Sequence, residues 1–449
     1  MASQGEELVI GGTNESMKRR AIIAATVGTS IEWYDFFLYS TVAALVLPKI
    51  FFTHLDPALG SALSFLTFWA GFLARPIGAA IFGHYGDRIG RKATLIITLL
   101  VMGIGTFLIG LLPGYGTLGV LAPILLTLLR VLQGIGIGGE WGGSVLLALE
   151  WNDKGRRGFV GSWPQFGVPV GLVLANLAFL LFNAVTGDQF LNWGWRVPFL
   201  LSILLVAVGL YIRIGILETP VFANLVETQK LEKAPVVEVL RRNWREVILS
   251  ALTRLGQNTL FYIFTSFVLL YGTATLHFKR GEILNYTLVM SVISLFTVPL
   301  FGLLSDYLGR KRVYIAGGLI MMLYPFVYFG LLDTKIVLFV FLGIALSLPL
   351  HDSQYGPQAA LIAEAFTGRL RYSGSSIGYQ LASVFAGGPA PLVATFLLAR
   401  FHSSLPIAVY LALASLISIV ATLLLTDNSK RDITVEYDQP KALAAAEPA

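Results

Sequence analysis

The sequence predicts an all-α membrane protein with twelve transmembrane helices in two six-helix halves. Composition is the first reason. Of 449 residues, 55% are hydrophobic and 13% charged, about half the charged share of a soluble domain. The second reason is that the apolar residues form continuous runs of about 20, not the alternation of barrel strands. The third is an internal duplication. Together these exclude a soluble enzyme, a disordered chain and a β-barrel. The chain has 0 cysteines, so it has no disulfide framework, thiolate metal site or cysteine nucleophile. Its net charge of +6 reports membrane topology and gives no reason to expect nucleic-acid binding.

Residues 1–20 are polar, contain no signal-peptide core and are expected in the cytoplasm. Apolar runs predict spans over 21–47, 61–84, 93–112, 121–149, 158–182 and 196–217, forming the N-terminal half 21–217. The charged stretch 218–246 reads as a cytoplasmic linker, with a basic cluster from Lys230 to Arg245. Spans over 247–271, 284–304, 313–332, 336–362, 373–399 and 405–426 form the C-terminal half 247–426. Residues 427–449 read as a disordered cytoplasmic tail.

With both termini inside, the cytoplasmic segments hold 23 of the 32 Lys and Arg residues and the outer segments hold 6. Arg75, Arg130 and Arg254 lie within spans. This bias predicts a multi-pass protein of the cytoplasmic (inner) membrane with both termini in the cytoplasm.

The duplication sits in the connections. Gly83-His84-Tyr85-Gly86-Asp87-Arg88-Ile89-Gly90-Arg91-Lys92 recurs as Gly302-Leu303-Leu304-Ser305-Asp306-Tyr307-Leu308-Gly309-Arg310-Lys311 at an offset of 219. Gly155-Arg156 and Gly161-Ser162 recur as Gly368-Arg369 and Gly374-Ser375 at an offset of 213. Both echoes keep the same membrane orientation, which predicts a parallel duplication about an axis normal to the membrane.

The Asp-Arg-x-Gly-Arg-Lys loop resembles the signature loop of the major facilitator superfamily, and Arg130-Val131-Leu132-Gln133-Gly134 resembles its second motif. More narrowly, Ile31-Glu32-Trp33-Tyr34-Asp35-Phe36-Phe37-Leu38-Tyr39 resembles the superfamily's metabolite:proton symporter branch. So do Ala74-Arg75-Pro76-Ile77-Gly78, Gly138-Gly139-Glu140-Trp141-Gly142-Gly143, Trp193-Gly194-Trp195-Arg196-Val197-Pro198-Phe199 and Arg371-Tyr372-Ser373-Gly374. The resemblance implies the major facilitator fold. It leaves the solute open among shikimate, 2-oxoglutarate, citrate and zwitterionic osmolytes. Osmosensing members resemble this chain but carry a long C-terminal coiled coil, whereas only about 23 residues follow the last predicted span here.

Ionisable residues inside spans are the site candidates, because each costs on the order of 3 kcal/mol at mid-membrane. They are Glu32, Asp35, Arg75, Arg130, Glu140, Arg254 and Asp352, with His351. Glu32 and Asp35 lie three apart on one helix face, where two carboxylates disfavour double ionisation. Asp35, Glu32, Arg130, Glu140, Asp352 and His351 are therefore the proton-coupling candidates. Arg130, Gln133 and Glu140 fall on one stripe of the fourth span, and arginine suits bidentate capture of a carboxylate. Arg254, Gln257, Asn258 and Tyr262 form a matching face on the seventh span. With Tyr355, Tyr379 and Gln380, and with Arg130 and Gln133, they are the solute-binding candidates.

In the duplicated loops, Asp87, Arg88, Arg91, Lys92, Asp306, Arg310 and Lys311 are gating candidates. A carboxylate there can bond a helix N-terminus of the other half. The resemblance implies that such contacts hold the outward-open state.

The expected function is secondary active transport: proton-coupled uptake of a small organic anion (a mono-, di- or tricarboxylate, or a shikimate-like acid) by alternating access. The alternatives are a proton-coupled carrier of a zwitterionic osmolyte and an efflux antiporter. No enzyme is expected, since no His-Glu-x-x-His occurs and the 5 histidines are scattered. No cofactor or metal is expected. The expected partners are the solute, protons and the lipid bilayer, with no nucleic acid, and the monomer is the expected working unit.

Overall fold

The computed structural model describes residues 3–151, 154–228 and 232–431. Lys230 of the predicted linker and residues 432–449 of the predicted tail lie outside the described residues. No strand occurs among the described residues. The long helices of the first half are α1 (Ser3–Leu45), α2 (Pro57–Ile89), α3 (Arg91–Leu111), α4 (Leu121–Glu150), α5 (Arg157–Thr186) and α6 (Arg196–Ile214). Two short helices, Pro220–Glu227 and Pro235–Arg242, come next. The second half has α7 (Trp244–Tyr262), α8 (Arg280–Leu308), α9 (Arg310–Asp333), α10 (Val337–Ala363), α11 (Arg371–Ala382) and α12 (Leu405–Leu424). α7 continues through π-helical turns at Ile263–Phe267 and Tyr271–Thr275, and α11 through one at Ser383–Gly387 into Pro389–Phe401.

Among the described residues, 10 helices are long and apolar enough to cross a membrane. The other two, α1 and α7, are the ones that carry Glu32 with Asp35 and Arg254 with Gln257 and Asn258. α1 is helical from Ser3, so the helix of the first predicted span continues back through the polar N-terminal segment. No proline interrupts residues 3–20. Extending an existing helix is far cheaper than nucleating one, so the membrane helix propagates outward.

Within the first half α1 packs on α5, α2 on α4, and α3 on α4 and α6. In the second, α8 packs on α10, α9 on α10 and α12, and α7 on α12. The halves meet where α2 packs on α11 and where α5 packs on α8 and α10. The sequence repeat relates α2 to α8 and α5 to α11, so the seam contains the same contact twice.

Two glycine features explain the geometry. A Cβ on Gly138 would lie 2.1 Å from the Arg75 carbonyl oxygen, so α2 and α4 can cross this closely only without one. Gly90 at φ 111° and Gly309 at φ 95° make the sharp turns from α2 to α3 and from α8 to α9. The outer faces leave Leu204, Phe296 and Leu423 exposed, as a lipid-facing surface requires.

Candidate functional site

The polar residues of the spans converge on the seam and are buried there: Glu32 is 3% exposed, Asp35 1%, Arg130 2% and Arg254 1%. In the first half, Thr106 of α3 donates to Asp35 Oδ2 at 2.7 Å. The Gln133 amide donates to the Thr106 hydroxyl at 2.6 Å, and Arg130 Nη1 donates to Gln133 Oε1 at 3.1 Å. The Arg130 guanidinium lies 4.2 Å from the centre of the Tyr39 ring, whose hydroxyl is 2.6 Å from that of Thr67. Among the described residues, Asp35 Oδ1 and Glu32 Oε2 have no hydrogen-bond partner.

Glu140 lies on the same continuous helix and stripe as Arg130 and Gln133 but does not join their hydrogen-bond series. It is bound instead by Arg213 of α6, by Thr98 at 2.8 Å and by Ser144 at 3.0 Å. The Arg213 guanidinium also bonds the Leu95 carbonyl. Gly28 of α1 makes room for it, since a Cβ there would overlap Arg213 and Glu140. Arg213 lies near the end of the sixth predicted span and was counted among the cytoplasmic cations, yet it is 2% exposed. The buried set therefore holds four guanidinium groups, not three, against four carboxylates: Glu32, Asp35, Glu140 and Asp352. Among the described residues of this set, only Glu140 and Arg213 form an ion pair with each other. Among the described residues Arg75, Arg130 and Arg254 have none, and the one ionisable side chain within ion-pair distance of Asp352 is His351, at 3.5 Å.

In the second half, Arg254 Nη1 donates to the Tyr379 carbonyl at 2.8 Å and to Ser383 Oγ at 2.6 Å. Its guanidinium covers the Tyr379 ring, which stacks on Trp141 of α4 at 3.5 Å. Gln257 lies 2.6 Å from His351 Nε2, and Gln358 donates to Gln257 Oε1 at 3.1 Å. His351 Nε2 also lies 3.2 Å from the Gln257 carbonyl, and Nδ1 lies 3.5 Å from Asp352 Oδ1. Ser294 at 2.7 Å and Thr297 both donate to the other Asp352 oxygen. Tyr355 lies beside the His351 ring at 5.7 Å, and Gln380 donates across the seam to the Ile137 carbonyl at 3.4 Å. Asn258 Nδ2 and the Tyr262 hydroxyl have no hydrogen-bond partner among the described residues.

The duplicated loops meet the seam at the end of the bundle that carries Gly90 and Gly309, here termed the basic end. Asp87 accepts from the backbone of Tyr372 at 3.3 Å and Ser373 at 2.9 Å, the first turn of α11, and from Ser373 Oγ at 2.8 Å. Asp306 accepts from the backbone of Gly158 at 2.7 Å and Phe159 at 2.8 Å, the first turn of α5. Arg91 lies 3.3 Å from Asp87, and Arg310 lies 3.2 Å from Asp306. The remaining loop cations stay within their own halves. Arg88 is exposed beside His84, Lys92 caps the end of α6 through the Ile214 carbonyl, and Lys311 caps the end of α12 through Leu423 and Leu425.

The sequence reading missed two carboxylates at this end. Glu150 bridges Arg91 and Arg371, each at 3.4 Å, and Glu364 bridges Arg157 at 2.9 Å and Arg310 at 2.6 Å. A signal was present, because Glu150 and Arg157 have the same spacing as Glu364 and Arg371.

A helical bundle of two duplicated halves, with polar and charged residues buried at their seam, defines a multi-pass membrane transporter and not an enzyme. The Sugar (and other) transporter family matches residues 21–251, and the chain belongs to this family of the major facilitator superfamily. It is similar to the inner membrane metabolite transport protein YhjE of Escherichia coli (strain K12), 42% identical over 414 residues covering 91% of this chain and 94% of that one. The shikimate transporter of the same strain is 41% identical over 428 residues, covering 94% and 97%. Its proline/betaine transporter is 31% identical over 425 residues, covering 92% and 85%. The fold matches the proton:xylose symporter XylE bound to 6-bromo-6-deoxy-D-glucose, with a TM-score of 0.75, 17% identity and coverage of 96% and 99%.

Proposed function

We propose that the chain takes up a small organic anion together with protons, by alternating access of a seam site. Arg254 holds the solute carboxylate from the second half, with Gln257, Asn258, Tyr262, Tyr355, Tyr379 and Gln380 around it. Asp35, assisted by Glu32, takes the coupling proton, and Arg130 and Gln133 set its environment through Thr106. Asp352 and His351 form a second proton-accepting pair in the other half. Glu140 is occupied by Arg213 and moves no proton. The Asp87 and Asp306 contacts hold the basic end closed. That end faces the cytoplasm of an inner membrane, in keeping with the 23-to-6 distribution of cations. The protein works as a monomer.

The observation that carries this reading is the set of buried charges without ion-pair partners at the seam. A buried unpaired charge is expensive, so a site that keeps several is suited to receive a counter-charge as solute or proton. The similarity to a shikimate transporter favours an acid bearing hydroxyl groups.

The test is uptake into proteoliposomes of radiolabelled shikimate, 2-oxoglutarate, citrate, proline and betaine, with and without an acid-outside pH gradient. The expected result is accumulation of one of the acids that a protonophore abolishes. Gradient-driven accumulation of proline or betaine alone would reassign the protein as a zwitterion carrier. Proton-driven export alone would make it an antiporter.

A further inference from the structure

Trp141 of α4 has no task in this scheme, yet it stands directly behind Arg254. The Tyr379 ring of α11 lies between them. Its centre is 3.4 Å from the Arg254 guanidinium and 3.5 Å from the Trp141 ring centre, with 12° between the two ring planes. Both approaches are too short to share one face of Tyr379, so guanidinium, phenol and indole form a single stack. It crosses the seam, since Arg254 and Tyr379 belong to the second half and Trp141 to the first, and all three side chains are buried. Two rings set face to face repel through their like quadrupoles, and aromatic pairs ordinarily sit offset or edge-on. A cation on the far face of Tyr379 offsets that repulsion by attracting the ring's electrons. The stack therefore holds as a unit. Arg254 depends on Tyr379 twice, through its ring and, at 2.8 Å, through its carbonyl. Trp141 is in turn fixed in its own half: its indole donates to Gln165 Oε1 at 2.9 Å, and the preceding residue, Glu140, is bound by Arg213. Beside it α4 meets α11 closely, since a Cβ on Gly142 would overlap Ser376 and one on Gly143 the Tyr372 hydroxyl.

We propose that Trp141 is a positioning residue for Arg254: through Tyr379 it holds the guanidinium in its solute-binding pose while the basic end is closed, and parting α4 from α11 to open that end releases it. This rests on the organic-anion reading above and deepens it. Solute affinity then follows the state of the basic end, strong while the halves are stacked and weak once they part, which favours release on that side. By linkage, bound solute favours the stacked, closed state.

The test titrates shikimate, 2-oxoglutarate and citrate into purified protein in detergent. It compares Trp141→Phe, which keeps a ring to stack, with Trp141→Leu, which fills a similar volume without one. Trp141→Met, flexible enough to fill the space, serves if Trp141→Leu does not fold. Wild type should bind one of the acids. Trp141→Leu should weaken it about three- to tenfold, and Trp141→Phe much less. With Arg254→Lys already present, Trp141→Leu should have no further effect on affinity, since the fork it positions is gone. Ser376 is buried between α4 and α11, so a thiol reagent reaches Ser376→Cys only when the basic end opens. The acid should slow that labelling about twofold or more in an otherwise wild-type chain, and not in Trp141→Leu. Equal affinities in Trp141→Phe and Trp141→Leu would make Trp141 a packing residue and overturn the proposal, leaving anion transport standing. An undiminished effect of Trp141→Leu in the Arg254→Lys background would also overturn it, by separating Trp141 from Arg254. Wild type that binds none of the three acids would overturn the organic-anion reading itself, and this positioning with it.

Discussion

Asp35 and Arg130 share one half and do not touch: the Thr106 hydroxyl and the Gln133 amide stand between them, joined by bonds of 2.7, 2.6 and 3.1 Å. Every donor in this series points toward Asp35. A direct bidentate pair would hold the aspartate permanently ionised. A relay through two neutral groups supports the carboxylate without locking it, and leaves Asp35 Oδ1 open to a proton.

Asp35→Asn should therefore abolish pH-driven accumulation while preserving solute counterflow, which moves no net proton. Thr106→Val keeps the carboxylate but removes the relay, and should shift the pH dependence of uptake without abolishing it. The check is uptake and counterflow in proteoliposomes over a range of external pH. Wild-type accumulation by Asp35→Asn would place the coupling proton elsewhere.

Arg254 is fixed by the Tyr379 carbonyl and Ser383 Oγ, so one arm of its guanidinium is anchored and the rest faces the seam. Arg254→Lys keeps the charge but cannot make both anchors and a forked contact. Solute affinity should fall about tenfold or more, with little change in ligand-free melting temperature. Equal affinity in equilibrium binding would exclude Arg254 from the solute site.

Much of this architecture was legible in the sequence, for identifiable reasons. Continuous apolar runs mark spans because a bilayer requires them, and the 219-residue offset shows the duplication and places Asp87 and Asp306 as equivalents. Which helix N-termini those aspartates would meet was not legible, because that is a tertiary fact. Arg213 was missed because it lies near a span end, where an arginine usually reads as a topology signal, and its partner is 73 residues away. Thr106 was missed because a threonine in an apolar helix normally bonds its own backbone, and the Met102 carbonyl at 3.1 Å is the competing acceptor for its single hydroxyl hydrogen. The π turns of α7 and α11 have no sequence periodicity of their own to reveal them.

Glu140 and Arg213 are a buried pair with both charges matched, unlike the seam charges. Arg213→Ala leaves Glu140 buried without its cation and should destabilise the protein by about 3–5 kcal/mol. Gly28→Ala should act in the same direction, since its new methyl overlaps the Arg213 guanidinium. Both effects would appear as lower melting temperatures in detergent. The surviving folded Glu140→Gln protein should still couple uptake to the pH gradient, because the wild-type carboxylate is committed to its contacts with Arg213, Thr98 and Ser144. Loss of coupling in a well-folded Glu140→Gln protein would return Glu140 to the proton path.

The basic end is closed by two equivalent contacts of unequal environment. Asp87 meets the start of α11 with three donors, two backbone and one hydroxyl, whereas Asp306 meets the start of α5 with two backbone donors. A carboxylate at a helix N-terminus contributes about 0.3–2 kcal/mol. Losing about 1.4 kcal/mol shifts a two-state equilibrium tenfold. Asp87→Asn should therefore raise the fraction open at the basic end by up to about tenfold and slow turnover, with the seam site chemically intact. Asp306→Asn should do the same more weakly, because one fewer donor is released. Single cysteines introduced on either side of the seam report the balance cleanly, since the native chain has 0. Labelling should rise at the basic end and fall at the other. If labelling and turnover both stayed at wild-type levels in Asp87→Asn, the loop would anchor topology and would not gate.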